Sequence, residues 1–130
     1  MEYHEPWEEL DPASRDYHRA IKSLMEELEA VDWYHQRVVT CTDQDLKKLL
    51  IHNRDEEMEH AVMALEWLRR NMPGWDEMLR TYLFHDESKS IVAVEEQATG
   101  SDTQASSAPN KVETSHALDL GIGNLKEKRI

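Results

Sequence analysis

One cysteine, one phenylalanine, four glycines and four prolines in 130 residues leave this chain short of both cross-links and backbone breakers. With Cys41 alone, neither an internal disulfide nor a paired-cysteine zinc or redox motif can be built, which fits a reducing compartment. Few glycines and prolines favour long helices. Basic residues are scarce as well: 15 Lys and Arg face 27 Asp and Glu, a net charge of −12. The whole of that net charge falls in residues 1–96, because residues 97–130 balance four bases against four acids. Such a surface repels phosphates, which excludes nucleic acid and anionic membranes as partners and favours cations. Long apolar runs are missing too. The longest, Ala61 to Leu65, has five residues where a bilayer crossing takes about 20, and MEYHEPWEEL shows neither a basic n-region nor an apolar h-region. The expectation is a soluble cytoplasmic protein without a secretion signal.

What is present is helical periodicity. Residues 1–10 carry no period and read as an N-terminal extension. Asp11-Pro12 then supplies an N-cap followed by proline at the first helical position. Tyr17, Ile21, Leu24, Leu28, Val31 and Val38 recur at spacings of three, four or seven, which predicts a helix to about Val39. Thr40-Cys41-Thr42-Asp43 breaks the period, and Thr42 or Asp43 can cap a second helix. That helix carries Leu46, Leu49/Leu50, Asn53, Glu57, His60/Ala61, Ala64 and Leu68 on one stripe and stops at Met72-Pro73-Gly74. A connection this short requires the two helices to fold back antiparallel. Shorter helical pieces are expected at about Trp75–Phe84 and, more weakly, Lys89–Gln97, completing a hairpin domain over residues 11–97. Residues 98–117 are rich in Ser, Thr, Gly, Ala and Pro and read as a flexible linker. Two helices with one apolar stripe each cannot enclose a core, so a pair of hairpins is expected to form a four-helix bundle across a symmetry axis.

Two stripe positions are wrong for a core. Glu57 and His60, an E-x-x-H, stand where the pattern asks for apolar side chains, and Glu27 has the same anomaly on helix one. Burying a carboxylate costs several kcal/mol unless something pairs with it. Tyr34, at i+7 from Glu27, shares its face. Carboxylates with a single imidazole suit iron or manganese better than zinc. The bare motif is weak, since 17 Glu and 7 His yield about one such spacing by chance and a second occurs at Glu113–His116. Its weight comes from placement: carboxylate-bridged di-iron bundles use a Glu from each of two helices and a Glu-x-x-His from each of the other two. This chain holds one of each, so only a dimer completes the site. The alternative is a buried ion-pair network in which Arg54 or Arg19 neutralises the carboxylates. Trp67 and Trp75 read as packing residues, as do Met58 and Met63, and His4, His18, His35, His52 and His85 as surface positions.

The runs MEELEAVDWYHQRV (Met25–Val38), HNRDEEMEHAVMALEWLRRN (His52–Asn71) and RTYLF (Arg80–Phe84) resemble the encapsulated ferritins over about residues 10–97. The resemblance implies an all-α fold: an antiparallel two-helix hairpin plus a short C-terminal helix, dimerising into a ferritin-like four-helix bundle within a ring-shaped decamer. It implies ferroxidase activity, with Glu27, Glu57 and His60 of two subunits as di-iron ligands and Tyr34 beside the metals. Glu26, Glu29 and Trp33 would form an ion entry and secondary metal region that takes calcium or another divalent ion. No closed iron-storing cavity is expected of the chain itself.

At the C-terminus, residues 118–130 regain apolar residues at regular places. Leu118, Leu120, Ile122 and Leu125, with Gly121 and Gly123 permitting an extended or turned path, read as a docking peptide on a tether. LDLGIGNLK resembles the cargo-loading peptides of encapsulin shells. The function expected is therefore oxidation of Fe(II) to Fe(III) by oxygen or peroxide, inside an encapsulin nanocompartment, for iron storage and detoxification. A metal-binding helical scaffold or an iron chaperone without turnover is the alternative.

Overall fold

A computed structural model of the chain describes residues 3–105, with side chains through Gly100. Among these residues all regular structure is helical: a 3-10 turn at Trp7–Glu9, then α1 (Pro12–Thr40), α2 (Gln44–Asn71), α3 (Trp75–Tyr82) and α4 (Ile91–Ala105). The start of α1 follows from its first two residues. Asp11 takes an extended backbone and its carboxylate accepts the Ser14 N–H at 2.7 Å, while Pro12 sits where no N–H is needed. The 29 residues of α1 span about 43 Å. Asp43 starts α2 in the same way, its carboxylate accepting the Leu46 N–H at 2.7 Å. The helix stops at Asn71 because Pro73 and Gly74, the latter at φ +103°, do not continue it.

The chain divides after Leu68 into two compact units. In the first, α1 and α2 lie antiparallel. The ring of Tyr17 meets Trp67 edge-on at 6.4 Å, Glu27 meets His60, and His35 meets Arg54, so partners move down one helix as they move up the other. Val38, Ala61 and Leu68 are buried, Leu68 completely. Leu28, Leu46 and Leu49, placed on the core stripes by periodicity, are about half exposed. Each long helix thus presents more apolar surface than one neighbour can cover, and Met25, Val39, Met58, Val62 and Met63 are exposed with them.

In the second unit α3 packs on α4, with Val94 buried. Asp76 accepts hydrogen bonds from Arg69 at 2.6 Å and Arg80 at 3.0 Å, tying α3 to the residues before the Pro73-Gly74 turn. α3 ends at Tyr82, two residues before Phe84, which adopts a left-handed backbone (φ +62°) that costs a bulky residue about 1 kcal/mol. α4 is capped by the Ser90 hydroxyl and runs to Ala105, past the end expected near Gln97. The Thr99 hydroxyl bonds back to the Glu95 carbonyl at 3.0 Å, a local contact that lets a Thr-containing stretch stay helical. Of the expected linker and docking peptide, residues 106–130 lie outside the described residues.

Candidate metal centre

Glu27 projects from the middle of α1, and Glu57 and His60 from the middle of α2, where an i, i+3 spacing puts both on one face. One ligand atom from each of the three lies within 4.8 Å of the other two. His60 Nδ1 stands 3.2 Å from Glu57 Oε2 and 3.7 Å from Glu27 Oε2. The two carboxyl groups are about a quarter exposed and the imidazole about half, so the cluster is open on one side.

The electrostatics follow from crowding. Glu27 is pushed above the usual glutamate range, first by its side-chain hydrogen bond to Glu57, then by burial and by the charge of Glu57. Glu57 is held below that range by the hydrogen bond it receives from Glu27 and by His60. The two carboxyls thus perturb each other in opposite directions, Glu27 upward and Glu57 downward. A cation placed between the two carboxyls would favour the charged form of both. Two oxygen donors and one imidazole suit iron or manganese, and the three donors fall short of the coordination either ion takes. The three side chains form a candidate metal-binding group of two carboxyls and one imidazole.

The cations that might have neutralised the carboxylates are engaged elsewhere. Arg54 donates to Asp55 at 2.9 and 3.0 Å and meets His35 Nδ1 at 3.2 Å, and Arg19 pairs with Asp16 at 2.6 Å. Of the other residues named from the sequence, Tyr34 is half-buried with the Arg37 guanidinium 5.1 Å from its ring centre. Glu26, Glu29 and Trp33 are exposed on α1 and are not among the three clustered donors. The docking-peptide positions Leu118, Leu120, Gly121, Ile122, Gly123 and Leu125 lie outside the described residues.

Several contacts around the site had no signal in the periodicity. The His35–Arg54–Asp55 pin joins α1 to α2 one turn from Glu57. Near the N-terminus, the Tyr3 ring packs at a tilt against Trp7 (5.1 Å) and His18 (4.2 Å), while Arg15 and Arg19 lie 4.6 and 5.3 Å from the Trp7 ring centre. Arg15 also donates to the Trp7 carbonyl at 2.9 Å, so residues 3–10 are strapped to α1 instead of trailing from it. A search for aromatic–basic spacings around the Asp11-Pro12 cap would have flagged them.

Comparison with known proteins gives a family to this arrangement. The profile described as EncFtn-like matches residues 2–86. A ferritin-like protein of Thermotoga maritima is 65% identical over 99 residues, covering 76% of this chain and 85% of that one. An encapsulated ferritin-like protein of Rhodospirillum rubrum is 51% identical over 123 residues, covering 95% and 86%. Among solved structures, protein ne0167 from Nitrosomonas europaea superposes with a TM-score of 0.64 at 57% identity, over 67% of this chain and 96% of that one. With more than half its length matched, the chain belongs to the EncFtn-like family of encapsulated ferritins.

Proposed function

We propose that this protein is a ferroxidase whose di-iron site forms between two copies, and that it works as the cargo of an encapsulin shell in the cytoplasm. The observation that carries the reading is the convergence of Glu27, Glu57 and His60 within 4.8 Å of one another. Fe(II) is the substrate. Glu57 and His60 of each copy hold one ion, and the Glu27 carboxylates of the two copies bridge the pair. The raised Glu27 holds a proton more tightly than an ordinary glutamate, so binding competes with that proton, and the four carboxylates offset the charge that grows when two ferrous ions lose one electron each. With dioxygen as acceptor the two electrons and two protons give hydrogen peroxide; with peroxide they give two waters. Tyr34, held by Arg37 on the same face of α1, hydrogen-bonds a ligand at the edge of the site. Glu26, Glu29 and Trp33 serve as the entry region, which also takes calcium or another divalent ion.

The exposed apolar side chains on both long helices support association, first as a dimer completing a four-helix bundle and then as a decameric ring. Shell loading through residues 118–130, with Leu120, Ile122 and Leu125 as anchors, draws support from the name of the Rhodospirillum relative. Storage and detoxification of iron then belong to the shell, because a half-bundle encloses no mineral cavity. Anaerobic loading with Fe(II) followed by air, recording oxygen uptake and ferric absorbance, tests the reading. Rapid oxidation that disappears in Glu57→Ala and His60→Ala is expected. Slow oxidation equal in all three proteins would overturn it.

A further inference from the structure

Arg54 stands where it could block the metal centre. It precedes Glu57 by three residues on α2, the spacing at which opposite charges on one helix surface meet. A guanidinium stays charged at every working pH, so near the donors it would compete with a metal ion for carboxylate lone pairs under all conditions. Its position alone decides whether it does. In the structure Nε and Nη2 of Arg54 donate to one oxygen of Asp55 at 3.0 and 2.9 Å, and Nη1 lies 3.2 Å from His35 Nδ1. Arginine has no acceptor, so His35 Nδ1 accepts that bond.

The two partners hold the fork from different sides. Asp55, the next residue in the chain, occupies the edge that carries Nε and Nη2, an edge through which arginine grips a carboxylate with two bonds. That edge is closed to Glu57. His35 reaches across from α1, eight residues beyond Glu27 and so about 12 Å further along the axis. Because α2 runs antiparallel, this is the direction of the Cys41–Asp43 connection, away from Glu57, and Nη1 is held on that side of the donors. The Arg54 side chain is 21% exposed against 56% for Asp55, so little water reaches the guanidinium to loosen it. Glu27, Glu57 and His60 meanwhile keep their ligand atoms within 4.8 Å of one another.

We infer that Asp55 and His35 are positioning residues that together hold the Arg54 guanidinium off the Glu27–Glu57–His60 group, so that its carboxyls stay open to a divalent ion. The inference rests on the reading that these three side chains bind metal, and not on iron oxidation. Loss of both acceptors leaves the guanidinium with Glu57, one turn away, as its nearest fixed anion on α2, and the ion pair so formed displaces the metal.

The test measures anaerobic Mn(II) binding to the full-length chain by titration calorimetry, at one pH and one protein concentration. Mn(II) suits the same oxygen-rich donors and gives a readout without turnover. Four proteins are compared: the parent, His60→Ala, the double variant His35→Ala with Asp55→Ala, and a triple variant that adds Arg54→Gln. The double variant should bind about ten- to a hundredfold more weakly at the site that His60→Ala removes, the range found when groups around metal ligands are lost. The triple variant should recover the parent affinity, because the competing cation is gone. A merely structural role for Asp55 and His35 would not be rescued in this way, since both alanines remain. Parent-like binding by the double variant, or a triple variant as weak as the double, would overturn the inference while leaving the metal site in place. Equal binding by the parent and His60→Ala would instead remove the metal-site reading, and this inference with it.

Discussion

Replacing His60 by alanine separates what the site does for the fold from what it does for metal. The imidazole is about half exposed and the neighbouring carboxyls about a quarter, so the metal-free chain loses little, within about 0.5 kcal/mol for a substitution of this kind. With ligand the arithmetic changes. A ligand that binds only the folded, assembled form at 100 times its dissociation constant stabilises it by about 2.7 kcal/mol. For a domain of this size each kcal/mol moves the melting temperature by about 4–8 °C, so Fe(II) should raise it by roughly 10–20 °C. Scanning calorimetry under nitrogen, at matched protein concentration and in two Fe(II) concentrations a decade apart, reads both numbers. The unsubstituted chain should show the full shift and a dependence on Fe(II) concentration; His60→Ala should melt at the same temperature without metal and shift by a few degrees at most with it. An equal shift in both proteins would refute the assignment of His60, and a large loss of metal-free stability would refute the statement that the site is held open.

Metal uptake should strengthen as pH rises through the raised Glu27 value and then level off, because the ion competes with the proton on Glu27; a pH-stat should record that released proton and find it missing in Glu27→Gln. Without metal the two shifts oppose each other: the Glu27 contribution to stability is lost as pH rises through its raised value, and that of Glu57 is lost as pH falls through its lowered one. Leu68→Ala, at a fully buried position, should cost between about 2.7 and 5 kcal/mol and appear in denaturant midpoints, whereas Leu28→Ala, half exposed, should spare the midpoint of the dilute chain and weaken association. Asp76→Asn should lower the melting temperature near neutral pH and match the parent in strong acid, since Arg69 and Arg80 hold the Asp76 carboxylate below its ordinary range and its contribution is lost as pH falls through that lowered value; a constant difference down to pH 2 would sink the ion-pair account.

The long helices were legible in the sequence because their ends are marked by local chemistry. Asp11-Pro12 and Asp43 cap them, and Pro73-Gly74 stops α2, within a residue or two of expectation. The clustering of Glu27, Glu57 and His60 was legible because a Glu-x-x-His in an apolar stripe, matched by Glu27, breaks a pattern that any core must obey. Contacts set by rotation about the helix axis were not. Periodicity does not tell which of two adjacent faces, the one with Val38 or the one with Leu28, meets the neighbouring helix, so Leu28 was placed inward and is half exposed. Nor does it show that Arg54 turns to His35 and Asp55 and leaves the donor carboxylates without a cation. Helical periodicity did not show the Trp7 strap, because its partners lie eight and twelve residues away along the chain and obey no period. The extension of α4 was hidden by Thr99 and Gly100, residues that resemble linker until a hydroxyl finds a carbonyl.

On the proposed reading, three donors on one chain are half a set, and a half set has a kinetic order. If capture of the substrate needs a second copy, its rate in dilute solution grows with the square of the protein concentration, so a newly made, isolated chain is chemically quiet. On the proposed reading, crowding many copies into a small volume would remove that restraint without any change in the chain, and confinement itself would turn the site on.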